Sequence, residues 1–217
     1  MEIFPSLISS DLLNLEKIIN NLNSNCDGYH IDVMDDHFVP NLTWGPMFVN
    51  SILNITKLPL QIHLMVENPQ IWIDRLNLRK IDCFIFHAEL FDFAELAIDL
   101  IKKVRNKKNC KVGVAVNPKT TILSVFDYLK YLDNILIMSV EPGFSGQKYM
   151  SEVESKIKPI KDKKKELNLS FKIGMDGAIS KNNIKKLVDL GVDQFGIASA
   201  IFSQKYYIKS LAELYKI

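Results

Sequence analysis

The sequence predicts one α/β domain over residues 1–217, in which eight parallel strands and their helices close into a (β/α)8 barrel, the TIM-barrel architecture. Short runs dense in Val, Ile and Leu occur eight times, as expected for strands buried on both faces, and a helical segment follows each run. Eight units of about 27 residues fill the chain without a flexible linker. An open doubly wound sheet would need fewer units and a Gly-rich first turn, whereas the first turn reads Ser9-Ser10-Asp11.

Each predicted strand is assigned from its apolar run. The eight strands span about 2–8, 28–34, 60–66, 82–87, 111–116, 134–139, 170–175 and 193–198. The segment after the sixth strand illustrates the predicted helices, with an apolar stripe made by Val153, Ile157, Ile160 and Leu167. The lysines from Lys156 to Lys165 mostly lie off this stripe and alternate with acidic residues. We interpret that basic run as a solvated helix face rather than a nucleic-acid patch.

Composition excludes several classes of protein. Apolar residues make up 47% and charged residues 24%, which are ordinary values for a packed globular chain. The net charge of +2 gives no broad positive field, so neither nucleic acid nor a membrane is an expected partner. Cys26, Cys83 and Cys110 are far apart and lack metal-site spacing, which favours buried thiols in a reducing compartment. No apolar run reaches membrane-spanning length and we identify no secretory signal, so a cytoplasmic location is expected.

Polar side chains are placed at regular intervals in the second and third predicted strands. The strand period of two puts His30, Asp32 and Met34 on one side of the second strand, and His63 and Met65 on one side of the third. In this architecture the reacting groups come from the carboxyl ends of the strands. These side chains are therefore expected to face the barrel mouth.

A second carboxylate, Asp176, ends the seventh strand across the barrel. Two imidazoles and two carboxylates suit a divalent Zn, Fe, Mn or Co ion. The alternative is that the histidines are hydrogen-bonded core residues and the aspartates form caps or turns. Burying two carboxylates near the barrel axis without a cation is costly, which favours the metal site. Met34, Met65 and Met138 could be core filler, but two of them share a face with the ligands and are predicted to line the site wall.

Small residues follow the last three predicted strands. The sixth strand runs into the segment 141–147, the seventh into Gly177-Ala178 and the eighth into Ala198-Ser199. Loops after strands seven and eight, together with a helix N-terminus, can offer backbone N–H groups to a phosphate. A lone Gly-x-x-Gly would usually mean a turn, but three such loops at one corner of a barrel predict a phosphate site.

These motifs closely resemble the ribulose-phosphate 3-epimerase family, in order and over essentially the whole chain. The matching segments are Pro5-Ser6, His30-Ile-Asp32-Val-Met-Asp-Asp-His-Phe-Val-Pro-Asn41, His63-Leu-Met-Val66, Met138-Ser-Val-Glu-Pro-Gly-Phe-Ser-Gly-Gln147, Asp176-Gly177 and Ser199-Ala-Ile-Phe202. The resemblance implies an isomerase that interconverts D-ribulose 5-phosphate and D-xylulose 5-phosphate in the pentose phosphate pathway. It requires one divalent metal ion and acts through a planar enediolate.

By matching position, the resemblance also implies a role for each site residue. The implied metal ligands are His30, Asp32, His63 and Asp176. Asp32 and Asp176 would also be the catalytic acid/base pair. The implied substrate contacts are Ser6, His63, Met34, Met65 and Met138. The implied phosphate contacts are Gly143, Phe144, Ser145, Gly146, Gly177, Ala178, Ala198 and Ser199.

Three positions depart from the family pattern, which usually has glycine where this chain has Asp36, Ala178 and Ala198. Asp tolerates left-handed backbone better than most residues, so Asp36 is expected to preserve its turn. The alanines add methyl groups where a phosphate oxygen approaches the backbone. Alternatives are a D-allulose 6-phosphate 3-epimerase, which uses the same catalytic set, and a non-catalytic sugar-phosphate-binding barrel. The expected partners are a small-molecule sugar phosphate and further copies of this chain in a homo-oligomer.

Overall fold

The computed structural model describes all 217 residues and contains eight strands in one parallel sheet. They are β1 (Glu2–Pro5), β2 (Tyr29–Met34), β3 (Leu60–Met65), β4 (Cys83–His87), β5 (Lys111–Val116), β6 (Asn134–Met138), β7 (Lys172–Asp176) and β8 (Gln194–Ile197). The hydrogen-bonded order is β1-β8-β7-β6-β5-β4-β3-β2, so each strand lies beside its neighbour in sequence and β8 pairs with β1. An isolated parallel bridge from Ser6 to His30 joins the two remaining edges. The predicted barrel is confirmed.

Eight α-helices surround the barrel. They are α1 (Leu15–Leu22), α2 (Pro46–Ile55), α3 (Gln70–Arg75), α4 (Ala94–Lys108), α5 (Ile157–Glu166), α6 (Ile184–Leu190), α7 (Ser199–Phe202) and α8 (Tyr207–Leu214). The crossover between β5 and β6 contains a 3-10 helix, Ile122–Tyr131, in place of an α-helix. No helix combines the length and the apolar composition needed to cross a bilayer.

The predicted strands differ from the observed ones mainly at their ends. The first apolar run extends past β1 because Leu7–Ser9 forms a 3-10 turn. The helical stripe predicted after β6 is only partly present, since Leu167 lies beyond the end of α5 and is exposed. Lys156 is buried instead of solvated, and its amine donates to the Asn117 carbonyl oxygen.

The buried apolar residues form one large cluster and two small ones. The large cluster is the core between sheet and helices and includes Tyr29, Ile31 and Val33, the three outward-facing residues of β2. Their neighbours on β2, His30 and Asp32, are also buried but do not belong to that core. The period of two therefore directs the polar residues of β2 into the barrel, as predicted.

Candidate functional site

The four candidate metal ligands meet at one point inside the barrel mouth. His30 and Asp32 come from β2, His63 from β3 and Asp176 from the last position of β7. One nitrogen or oxygen atom of each lies within 4.8 Å of the corresponding atoms of the others. Both imidazoles are fully buried, while the Asp176 side chain keeps 13% of its surface exposed. The cluster therefore lies at the bottom of the barrel mouth, and a bound molecule can reach it through the exposed side of Asp176.

The spacing of these atoms fits a single first-row metal ion. His30 Nε2 lies 3.2 Å from His63 Nδ1 and 3.3 Å from Asp32 Oδ1. Asp176 Oδ2 lies 3.6 Å from His30 Nε2 and 3.7 Å from His63 Nδ1. A tetrahedral ion with bonds of about 2.0–2.2 Å requires ligand atoms about 3.3–3.6 Å apart. The donor set also matches, since imidazole and carboxylate together suit these ions.

Neighbouring polar groups orient two of the candidate ligands. Gln61 Oε1 lies 3.0 Å from His30 Nδ1, and the Gln61 amide nitrogen donates to Gln194 Oε1. Because the amide oxygen faces His30, the His30 Nδ1–H donates to it, so that in the neutral imidazole Nε2 is the nitrogen with a lone pair for a metal. The Ser6 hydroxyl donates to Asp32 Oδ2 at 2.5 Å, so the other carboxylate oxygen, Oδ1, is the one that faces the histidines.

A third histidine lies behind the ligands, and it was not predicted. His87, at the end of β4, is fully buried with its Nε2 2.8 Å from His63 Nε2. Its other ring nitrogen, Nδ1, lies 3.1 Å from Glu89 Oε2. The signal was present in the sequence, because His87-Ala88-Glu89 puts two polar residues at the carboxyl end of a barrel strand. The rule that identified His30 and His63 therefore also applies here.

Burial and neighbouring charges shift the pKa values of the four side chains in different directions. Burial alone would lower the pKa of His30, but the Asp32 and Asp176 carboxylates raise it to about 9. Burial lowers the pKa of His63 to about 4. Burial opposes ionisation of Asp32, yet His30 and His63 hold the pKa of that carboxyl well below its usual range. The pKa of Asp176 is raised by burial and by the Asp32 charge. The pKa values of the two carboxyls are thus shifted in opposite directions. Asp32 is ionised, and Asp176 keeps its proton more readily than an ordinary aspartic acid.

A pocket opens above the cluster, and nearly all of the predicted site residues line it. The lining includes Ser6, Asp32, Met34, Met65, Met138, Gly143, Phe144, Ser145, Gly146, Asp176, Gly177, Ala178, Ala198 and Ser199. His30 and His63 lie beneath this surface and have no exposed area. The structure thus brings the methionines and the glycine-bearing loops to one cavity, with the methionines near the carboxylates of β2 and β7.

The three departures from the family pattern have different backbone conformations. Asp36 has φ +61° and Ala178 has φ +52°, so both occupy the left-handed region that favours glycine. The turn at Asp36 is therefore preserved, as expected. Ala198 has φ −101° and ψ −90°, outside the left-handed region.

Gly196 leaves space for the Asp176 carboxylate, and this role was not predicted. Gly196 on β8 faces Asp176, and a Cβ atom at position 196 would lie 3.0 Å from Asp176 Oδ1 and 3.2 Å from its Cγ. A side chain there would displace the carboxylate. A glycine inside an apolar strand can indicate a close approach of this kind, and this was the available signal.

Comparison with known protein structures supports the fold. A 3-hexulose-6-phosphate synthase from Salmonella typhimurium superposes with a TM-score of 0.65, covering 100% of this chain and 97% of that one at 12% identity. An orotidine 5'-monophosphate decarboxylase from Sulfolobus solfataricus gives 0.64, with 99% and 96% coverage at 14% identity. At such identities the likeness concerns the fold alone.

Sequence comparison identifies much nearer relatives. Ribulose-phosphate 3-epimerase of Bacillus subtilis strain 168 is 34% identical, covering 99% of this chain and 98% of its own. The enzyme of the same name from Escherichia coli K12 is 36% identical, with 98% and 93% coverage. The model of the ribulose-phosphate 3-epimerase family matches residues 2–202. Because this match covers nearly the whole chain, the chain belongs to the ribulose-phosphate 3-epimerase family.

Proposed function

We propose that this protein is a metal-dependent isomerase that inverts carbon 3 of a ketose phosphate, interconverting D-ribulose 5-phosphate and D-xylulose 5-phosphate. One observation carries the proposal: Asp32 and Asp176, from strands on different sides of the barrel, reach the same small volume together with two imidazoles. Family membership and the name shared by the relatives support the choice of substrate.

His30, Asp32, His63 and Asp176 would hold one divalent metal ion, since their donor atoms have the type and spacing that such an ion requires. When bound, a divalent metal supplies Lewis-acid stabilisation of negative charge on substrate oxygens. The Gln61 and Ser6 contacts orient His30 and Asp32 toward this position. The four ligands therefore form a site that is largely preorganised.

Inversion requires a proton to leave one face of carbon 3 and to return on the other. One carboxylate cannot do both in place, but two carboxylates on different strands can. Asp32 is ionised in the folded protein and can accept the proton, while the raised pKa of Asp176 favours its acid form. For the reverse substrate the two exchange roles. Such acid/base catalysis contributes about 10²–10⁴-fold to a rate.

The remaining lining residues would control water and hold the phosphate. Met34, Met65 and Met138 are almost fully buried and present an apolar wall beside the carboxylates. Such a wall excludes water that could reprotonate the planar intermediate from the wrong face. The backbone N–H groups of the loops at Gly143–Gly146, Gly177–Ala178 and Ala198–Ser199 would bind the phosphate. The positive φ of Ala178 preserves the direction of its loop in spite of the added methyl group.

The test replaces each carboxyl by an amide, which removes proton transfer but leaves an oxygen for the metal. Asp176→Asn and Asp32→Asn, both confirmed to retain metal, should each lower turnover by at least about a hundredfold. Each variant should still exchange the carbon-3 hydrogen with deuterated solvent for only one of the two epimers, and the two variants should differ in which one. Epimerisation by metal-loaded Asp176→Asn at near the parent rate would exclude the two-carboxylate mechanism.

We also propose a homo-oligomer, because large apolar side chains are exposed near the barrel mouth. Leu13 is 96% exposed, Met47 is 86% exposed and Leu42 is 70% exposed. Several large apolar side chains exposed on the segments that follow the first two strands favour a protein interface at this end of the barrel. Light scattering should show more than one chain per particle, and Leu13→Glu should shift the protein toward monomer. A monomeric parent protein would refute the proposal.

A further inference from the structure

We infer that His87 and Glu89 are positioning residues that determine which nitrogen of His63 carries its proton, and so prepare His63 to bind metal. The inference deepens the proposed function, since it rests on His63 being a metal ligand. Neither His87 nor Glu89 lines the substrate pocket. Their effect on the site would therefore pass through His63.

The three side chains form a continuous row. His63 Nε2 and His87 Nε2 are 2.8 Å apart, and His87 Nδ1 is 3.1 Å from Glu89 Oε2. The two imidazole rings are nearly parallel, at 21°, with centroids 5.0 Å apart. At the other end of the row, His63 Nδ1 points into the ligand cluster, 3.3 Å from Asp32 Oδ1.

When both imidazoles are neutral, only one arrangement of protons satisfies the two contacts that His87 makes, one with Glu89 and one with His63. An ionised carboxylate can only accept, so His87 must carry its proton on Nδ1 to donate to Glu89. The Nε2 atom of His87 then has a free lone pair and can accept. His63 must donate to it from Nε2–H. Its Nδ1 is therefore unprotonated and presents a lone pair to the cluster, which is the form that binds a metal.

The surroundings leave no competing partner for the central imidazole. His87 has no exposed surface, and the Phe38 ring packs against it with centroids 4.6 Å apart. Glu89 is itself fixed, because its Oε1 accepts from the Asn117 backbone N–H at 2.8 Å. His30 is oriented differently, by the neutral amide of Gln61. The two imidazoles are thus oriented by separate hydrogen-bond partners. His30 contacts a neutral amide, whereas the contacts of His63 pass through His87 to the Glu89 carboxylate.

The experiment measures zinc affinity and histidine tautomers, without reference to turnover. The dissociation constant for zinc is obtained by competition with a chromophoric chelator. The ring nitrogens are followed by NMR of ¹⁵N-histidine-labelled, metal-free protein. His87→Leu removes the acceptor and should weaken zinc binding about 10–100-fold, the usual effect of losing an outer partner of a ligand. It should also let His63 populate its Nδ1–H form.

His87→Gln provides the conservative rescue, because the introduced amide can accept from His63 and donate to Glu89. It should bind zinc within about threefold of the parent affinity. Glu89→Gln is the alternative variant if His87→Leu does not fold. The introduced amide can either accept from His87 Nδ1 or donate to it, so both tautomers of His63 should be populated. Phe86→Leu is the matched control on the same strand. Phe86 is equally buried but belongs to the core between sheet and helices.

Different outcomes would refute the positioning role of His87 and the proposed metal site. Zinc binding by His87→Leu at the parent affinity, with His63 in one tautomer, would overturn the inference. So would an equal loss in His87→Gln or in Phe86→Leu, because packing alone would then explain the effect. Failure of the parent protein to bind zinc, or unchanged binding by His63→Ala, would instead refute the proposed metal site.

Discussion

Ala178→Gly should stabilise the protein, although a glycine substitution normally does the reverse. Ala178 has φ +52° in the loop after β7, and Asn183 holds that loop by donating to the Ala178 carbonyl oxygen at 3.0 Å. A left-handed conformation costs a residue with a Cβ atom about 1–2 kcal/mol. Glycine removes that cost but loses about 0.4–1 kcal/mol through the greater freedom of the unfolded chain. The expected net gain is about 0.5–1 kcal/mol in the free energy of unfolding.

Two neighbouring substitutions serve as controls for this prediction. Ala198→Gly makes the same chemical change at φ −101°, where glycine relieves no left-handed strain, so it should not give the gain expected at position 178. At Gly177, with φ +109°, an added Cβ would lie 2.6 Å from Val140 Cγ2, so Gly177→Ala should cost more than about 2 kcal/mol. Reversible denaturant unfolding of the metal-free proteins measures all three. A loss of stability in Ala178→Gly equal to that in Ala198→Gly would refute the backbone argument.

Two further predictions concern the metal site. His63→Ala should reduce metal retention through native purification by more than the 10–100-fold typical of outer-shell losses, and unchanged occupancy by metal analysis would remove His63 from the ligands. The pKa of His30 is about 9 without metal, so this imidazole is protonated at neutral pH and must lose its proton when a metal binds. Apparent metal affinity should therefore rise about tenfold per pH unit from about pH 6.5 to 8.5, and calorimetry in buffers of different protonation enthalpy should detect at least one released proton. A pH-independent affinity over that range would contradict this assignment.

The barrel could be predicted because its signal is repeated and local. Each strand has its own apolar run, and the period of two in β2 separates Ile31 and Val33 from His30 and Asp32 without reference to the rest of the chain. The crossover at Ile122–Tyr131 was less predictable, because an apolar periodic segment does not distinguish a 3-10 helix from an α-helix. Lys156 was misplaced for a related reason, since its buried partner, the Asn117 carbonyl, lies in a distant loop.

The convergence of the four candidate ligands could be predicted, but not all of the groups that orient them could be. His30 and His63 are identified by their place in strands, whereas the hydrogen bond from Ser6 to Asp32 spans 26 positions and depends on the closure of β1 against β2. His87 could have been identified, because it ends a strand in the same way as the ligands do. What the sequence does not contain is the distance of 2.8 Å that connects it to His63.

The same burial that makes the cluster useful also makes it unfavourable without a cation. Asp32 and Asp176 approach each other inside the barrel, and without a cation this repulsion raises the pKa of His30 and that of Asp176. A divalent cation would neutralise both carboxylates and would leave His30 neutral, so binding energy at this point is also folding energy. The hydrogen bond from Ser6 to Asp32 and the one from His30 to Gln61 oppose this repulsion. They hold the ligands in a geometry that electrostatic repulsion would otherwise open, which keeps two acidic groups close enough to serve both faces of one carbon.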